Sequence, residues 1–169
     1  GEVALAFQPI HPGSCVRIED RAAFSQLQDF AFGCWLYPTL VGETAQTIAS
    51  RWVGGEGWKL ELDAEGFLQC VVASSGRSFS ARADKPVLAR EWVFVTASVS
   101  LSTGRIALHQ SSLVRSGGRD RSGGAEAEIG AAIAWPEEAP LLLAAEATGA
   151  PLPASPTTRH FNGKIDRPR

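Results

Sequence analysis

The chain has 169 residues, 44% of them apolar and 20% charged, with a formal net charge of −2. That length and balance suit one folded domain around a single core and exclude a disordered chain. So small a charge gathers neither nucleic acid nor an anionic membrane, and the longest apolar run, residues 139–147, is far short of the ~20 residues that a membrane span needs.

Three cysteines, Cys15, Cys34 and Cys70, are odd in number, widely spaced and set in apolar strand-like runs. Buried, reduced thiols are expected, and with them a reducing, cytoplasmic setting; a Cys15–Cys34 disulfide is the alternative. The chain contains no methionine, shows no basic-then-apolar leader and ends in what reads as the middle of a strand. One domain over residues 1–169, cut from a longer protein, is therefore expected.

In chain order, short runs rich in Val, Ile, Leu, Phe and Trp recur between Gly, Pro, Ser and Asp, the pattern of strands and turns. Residues 3–7 and 15–19 form the first pair. Residues 20–30 carry apolar positions for one or two helical turns at most. Over residues 30–37, Phe30, Phe32, Cys34 and Leu36 alternate with Ala31, Gly33, Trp35 and Tyr37, and both faces are largely apolar, as in an interior strand of a layered sandwich. Residues 47–52 predict a short strand. Residues 58–62 and 67–73 flank Asp63-Ala64-Glu65-Gly66, where Gly66 can take the positive φ of a hairpin loop. A second hairpin joins residues 91–100 to 105–110, with Trp92, Phe94 and Thr96 on one face and Val93, Val95, Ala97 and Val99 on the other. Residues 115–124, rich in Gly, Ser and Arg, predict a flexible loop. A strand over 141–146, a proline-rich loop over 150–158 and a strand over 161–167 complete the chain. The pattern is all-β, a two-sheet antiparallel sandwich with about ten or more strands.

Catalytic signatures are missing: there is no G-x-S-x-G, S-x-x-K or H-E-x-x-H. His11, His109 and His160 are scattered and read as surface or strand-edge residues. Gly163-Lys164 lacks the rest of a phosphate-binding loop. Glu61 and Asp63 share a strand face, as a glycosidase pair would, but Asp63 sits at a hairpin tip and the pair reads as solvated turn chemistry. Of five tryptophans, Trp35, Trp58 and Trp92 lie in apolar strands and are expected in the core. Trp52 and Trp135 are the better-exposed candidates for stacking on a sugar. One short Arg-containing loop with an Asp inside it does not make a nucleic-acid tail.

Taken in order, these features resemble the laminin-G/concanavalin A-like jelly roll. The motifs are Ala4-Leu5-Ala6-Phe7, the aromatic strand closing in Trp35-Leu-Tyr-Pro38, Ile48–Trp52, Gly57–Leu62, Trp92–Gly104 and Phe161-Asn-Gly163-Lys-Ile165-Asp166. In the last, Phe161 and Ile165 would plug the sandwich, Gly163 would permit a turn, and Asp166 would bond backbone at a strand end. Many members carry Tyr-Val-Asp-Gly where this chain has His109-Gln-Ser-Ser112. No Asp/Asn-rich cluster like the pentraxin calcium site is evident, Asn162 being the only asparagine, so calcium binding is unsupported and no metal ligand is assigned.

The ending, residues 160–169, also resembles the jelly-roll region in the large subunit of the bacterial N,N-dimethylformamidase family. That resemblance implies a parent enzyme that hydrolyses a small amide with iron held by tyrosines and a glutamate in a different domain. Tyr37 is the only tyrosine here and is expected in a core strand, so catalysis is placed outside this chain. The expectation is a non-catalytic accessory or assembly domain whose partners are other domains or subunits of the parent. The alternative is a carbohydrate-binding module using Trp52 or Trp135.

Overall fold

A strand buries every second side chain, so the alternating runs fix which residues face inward before any sheet is assembled. The structure, a computed structural model, describes residues 14–18, 24, 27–137, 139–148 and 157–169. The predicted strand at residues 3–7, His11 and most of the 20–30 segment lie outside the described residues.

The strands are β1 (Val16–Ile18), β2 (Asp29–Pro38), β3 (Gln46–Val53), β4 (Glu56–Leu62), β5 (Phe67–Ser74), β6 (Arg77–Pro86), β7 (Val93–Ser100), β8 (Arg105–Ser112), β9 (Gly123–Glu128), β10 (Leu141–Leu143), β11 (Glu146–Ala147), β12 (Thr157–Thr158) and β13 (Gly163–Asp166). They form a six-stranded sheet in the order β1-β10-β3-β4-β5-β6, a five-stranded sheet in the order β13-β2-β7-β8-β9, and a small β11–β12 ribbon. The pairings within the sheets are antiparallel. This is the all-β two-sheet jelly roll that the sequence predicts.

The core lies between the sheets. Trp58, Leu60, Leu62, Leu68, Cys70 and Val72 from the larger sheet meet Phe32, Cys34, Leu36, Val95, Val99 and Ile106 from the smaller. Burying a side chain of this size stabilises the fold by about 1.5–3 kcal/mol before entropy is counted. Cys34 and Cys70 are buried and free, and desolvation pushes both thiols up to about 12. Cys15 departs from expectation: it is exposed and free, and no disulfide joins it to Cys34.

The first hairpin forms as predicted. Gly66 takes φ 85°, and Asp63 Oδ1 accepts from the Glu65 and Phe67 amides, both at 2.9 Å. Three strands are not legible in the sequence: β12, which falls at the end of the predicted 150–158 loop, β6 and β9. β6 and β9 bury mainly small residues, Ala81 and Ala83 in one and Ala125 and Ala127 in the other, so neither reads as an apolar run. Gly123 and Gly124, which the sequence places in the loop, are the first residues of β9. The rest of that loop is anchored by Arg121 N–H donating to Ser112 Oγ at 2.8 Å and Lys85 Nζ donating to Ser122 O at 3.0 Å.

The closing motif works differently in detail. Phe161 is buried and Ile165 packs on the core, as expected. Gly163, however, is a strand residue opposite Pro38, not a turn; a Cβ there would meet Tyr37 O at 2.4 Å and the Phe161 ring at 2.8 Å. Close backbone approach is what requires glycine. Asp166 faces outward opposite Trp35, with Arg167 Nε 3.6 Å away.

Candidate interaction face

Residues on β2 and β7 that do not face the core project from the outside of the five-stranded sheet. Trp35 stands opposite Phe94 on one side and Asp166 on the other, and Tyr37 stands opposite Lys164. The Trp35 and Phe94 rings lie 5.3 Å apart, and Tyr37 packs on Trp92 at the same separation. All four rings are half-buried. Trp35 and Trp92 therefore leave the core that the sequence assigns them, and so does Tyr37; only Trp58 of that trio is buried, at 8% exposure. β2 has two apolar faces because one faces the core and the other forms this surface.

Cations cap the cluster. Lys164 Nζ sits 5.6 Å from the Tyr37 ring centre and the Arg169 guanidinium 5.4 Å from that of Phe94. Arg169 is fixed there by a reciprocal backbone pair with Gly33, at 2.9 and 3.0 Å. Leu113, 63% exposed, extends the apolar area. Trp35, Trp92 and Leu113 line a shallow hollow with Asp166 and Arg167 at its side. Next to the aromatic wall the sheet surface falls away over small residues, Ala31, Ser98, Ala107 and Gly124, with exposed His109 and Glu126 beside them. Aromatic rings edged by arginine and lysine, partly desolvated in the isolated domain, have the composition of a protein-contact surface.

The opposite, outer side of the six-stranded sheet is built another way. Lys59 and Glu61 point away from the core and yet are 6% and 4% exposed. Glu146 and Arg159, from the β11–β12 return segment, lie over them. Lys59 Nζ is 2.9 Å from Glu61 Oε2 and 3.0 Å from Glu146 Oε2; Arg159 Nη1 is 3.4 Å from Glu61 Oε2 and its Nε 3.2 Å from Glu146 Oε1. Two cations and two carboxylates balance: Arg159 is half-exposed, and the pairing makes the burial of Lys59, Glu61 and Glu146 tolerable. The expected solvated Glu61–Asp63 pair is thus corrected: Glu61 is locked in this cluster, while Asp63 pairs with Arg82 at 2.6 Å. Burial alone would raise the Asp63 pKa, but the Arg82 hydrogen bond and the amides of Phe67 and Glu65 outweigh it and hold the carboxyl below its usual range.

The two tryptophans picked from sequence do not share a surface. Trp52 is half-buried on the outer side of the six-stranded sheet, its ring centre 4.9 Å from Lys59 Nζ. Trp135 packs edge-on to Phe30 at the core margin, and its indole N–H donates to Leu27 O at 2.6 Å. His160 Nε2 lies 2.9 Å from Thr157 Oγ1, and burial pushes its imidazole pKa down. Among the described residues no three His, Cys, Asp or Glu side chains converge as metal ligands would. Tyr37, between Trp92 and Lys164, does not fit a tyrosine–glutamate iron centre.

Comparison with known proteins places this fold. The chain is 30% identical over 118 residues to the N,N-dimethylformamidase beta subunit of Paracoccus aminophilus, matching 68% of this chain and 15% of that protein. It is 27% identical to the beta subunit of the same name from an Alcaligenes species, over 100% of this chain and 24% of that one. The chain thus spans no more than about a quarter of the curated relatives it matches. Among solved structures, the LG1-3 region of the laminin alpha2 chain superposes with a TM-score of 0.66 at 8% identity, covering 92% of this chain and 29% of that one. The CBM40 of the Ruminococcus gnavus IT-sialidase, bound to alpha2,3 sialyllactose, superposes with a TM-score of 0.58 at 12% identity, covering 87% and 77%. A laminin G family model, described as the concanavalin A-like lectin/glucanases superfamily, matches residues 13–169, and the chain belongs to that superfamily.

Proposed function

We propose that this is a non-catalytic accessory domain of a larger amide hydrolase of the N,N-dimethylformamidase kind, docking to the parent enzyme through the outer face of the five-stranded sheet. The observation that carries it is the aromatic cluster of Trp35, Tyr37, Trp92 and Phe94 left half in solvent with Lys164 and Arg169 over it. Trp, Tyr and Arg dominate the energetic centres of protein interfaces, because they bury large areas at small entropic cost. The amide-hydrolase part rests on the relatives' names and on their length beyond this domain.

The test is a Trp35→Ser/Phe94→Ser variant made in the parent protein and compared by sedimentation and formamide hydrolysis. The expected result is loss of the native assembly while the domain itself stays folded by circular dichroism. Unchanged assembly, or amide hydrolysis by this domain alone when supplied with iron, overturns the proposal.

A second reading, a carbohydrate-binding module, is favoured by the polar side chains of Thr96, Ser98, His109 and Glu126 that border the mainly apolar hollow beside the aromatic wall. Of the two sequence candidates, Trp135 has its ring packed on Phe30, which leaves Trp52 as a separate platform on the outer side of the six-stranded sheet. A glycan array answers this reading: signal above background that Trp52→Ala or His109→Ala abolishes supports it, and a blank array removes it.

A further inference from the structure

The two sheets part near β1 and β10, and a cavity of about 260 Å³ lies between them. Ile18, Leu141 and Leu143 wall it from the six-stranded sheet's edge, and the rings of Phe30, Trp58 and Trp135 close it from the core side. Phe30 stands 4.8 Å from Trp58, tilted, and 6.1 Å from Trp135, edge to face, so the three rings offer both faces and edges to the space. Of the two arginines at the wall, Arg169 has its guanidinium over the Phe94 ring, and Arg51 is turned to backbone. Arg51 donates from Nη1 to Phe24 O at 2.8 Å, from Nη2 to Pro136 O at 3.0 Å and from Nε to Ala139 O at 3.2 Å. With the Trp135 N–H committed to Leu27 O, the surface presented is almost wholly carbon.

We propose that this cavity is a binding site for a small, neutral aromatic molecule, roughly ten non-hydrogen atoms in size. The size follows from scale: an apolar cavity of about 150 Å³ holds benzene, so this one has room for two fused rings. Neutrality follows from the wall, because a charged ligand would leave water for a surface that is almost wholly carbon. Aromatic character follows from the three rings, which favour offset and edge contacts over alkyl packing. The site lies between the sheets and the docking face outside them; Ala31 and Arg169 border both.

The five tryptophans provide the readout. The ¹⁵N-labelled chain is titrated with naphthalene while the indole N–H cross-peaks are followed. The expected result is a saturable one-to-one shift of the Trp58 and Trp135 peaks, with those of Trp35 and Trp92 unmoved. Leu141→Phe, which fills the cavity, is expected to weaken binding roughly tenfold or more. Ile18→Phe fills it from the strand paired with Leu141 and serves where the first variant does not fold. No saturable shift, shifts at Trp35 and Trp92 instead, or undiminished affinity in a folded filled variant overturns the proposal. Tighter binding of 2-naphthoate than of naphthalene overturns the neutral assignment.

Discussion

The two outer sides of this sandwich invert the usual rule. On the six-stranded sheet, Lys59 and Glu61 point outward and are sealed from water; on the five-stranded sheet, Trp35, Tyr37 and Phe94 point outward and stay half in it. Residue polarity predicts the reverse for both. What decides the first case is the β11–β12 return segment, which brings Glu146 and Arg159 down over Lys59 and Glu61. In the second, Lys164 and Arg169 lie over the rings without sealing them. A covered face must neutralise its charges internally, whereas an aromatic face left open gains by finding a partner.

Breaking the covered face should cost the most. Lys59→Met removes one of the two cations and leaves Glu61 and Glu146 to share Arg159 alone. Stranding a buried charge costs about 3–5 kcal/mol, so urea unfolding should move to a much lower midpoint. If the charges are in fact well hydrated, the shift will stay within about 1 kcal/mol, the range of exposed pairs.

Next comes Gly163→Ala. The added carbon would meet Tyr37 O at 2.4 Å, which is backbone and cannot swing aside. Overpacking of this kind costs about 1–3 kcal/mol. It should also loosen β13 from β2 and with it the Lys164 contact, which amide hydrogen exchange over residues 163–166 would show as lost protection. A third variant, Trp35→Ser, probes the open face. Its stability cost should be only about 1 kcal/mol, because the ring is half-exposed and packs chiefly on Phe94. A cost as large as that of Lys59→Met would mean that Trp35 is core and the comparison fails.

Sequence pattern made most of the fold legible because large apolar residues at period two mark the central strands: Cys34 and Leu36 in β2, Leu60 and Leu62 in β4, Val95 and Val99 in β7. It failed at β6 and β9, whose inward positions are mainly alanines and carry little hydrophobic signal. The candidate face failed for a different reason. Alternation separates Trp35 from Cys34 correctly, but it cannot say which of two apolar faces meets the other sheet. Nor can it foresee that Glu146, 85 positions beyond Glu61, will share Lys59 with it. Such information lies in tertiary cover, which no local window contains.

The smallest expected effect sharpens the contrast between a covered and an uncovered carboxylate. Asp63 lies at a hairpin tip, its oxygens bonded by Arg82 at 2.6 Å and by two backbone amides. Burial works against its ionised form, but these donors prevail, so its pKa is lower in the folded chain than in the unfolded one. The unfolded state therefore takes up its proton first as pH falls, and the contribution of Asp63 is present above the ordinary aspartate range and lost as pH drops through the folded value. Asp63→Asn should be less stable than the wild type near neutrality, with the gap closing as pH falls below the ordinary aspartate range. Unfolding midpoints of the two proteins across that range provide the measurement. A gap that persists in acid would mean that the turn depends on the geometry of the aspartate side chain and not on its charge.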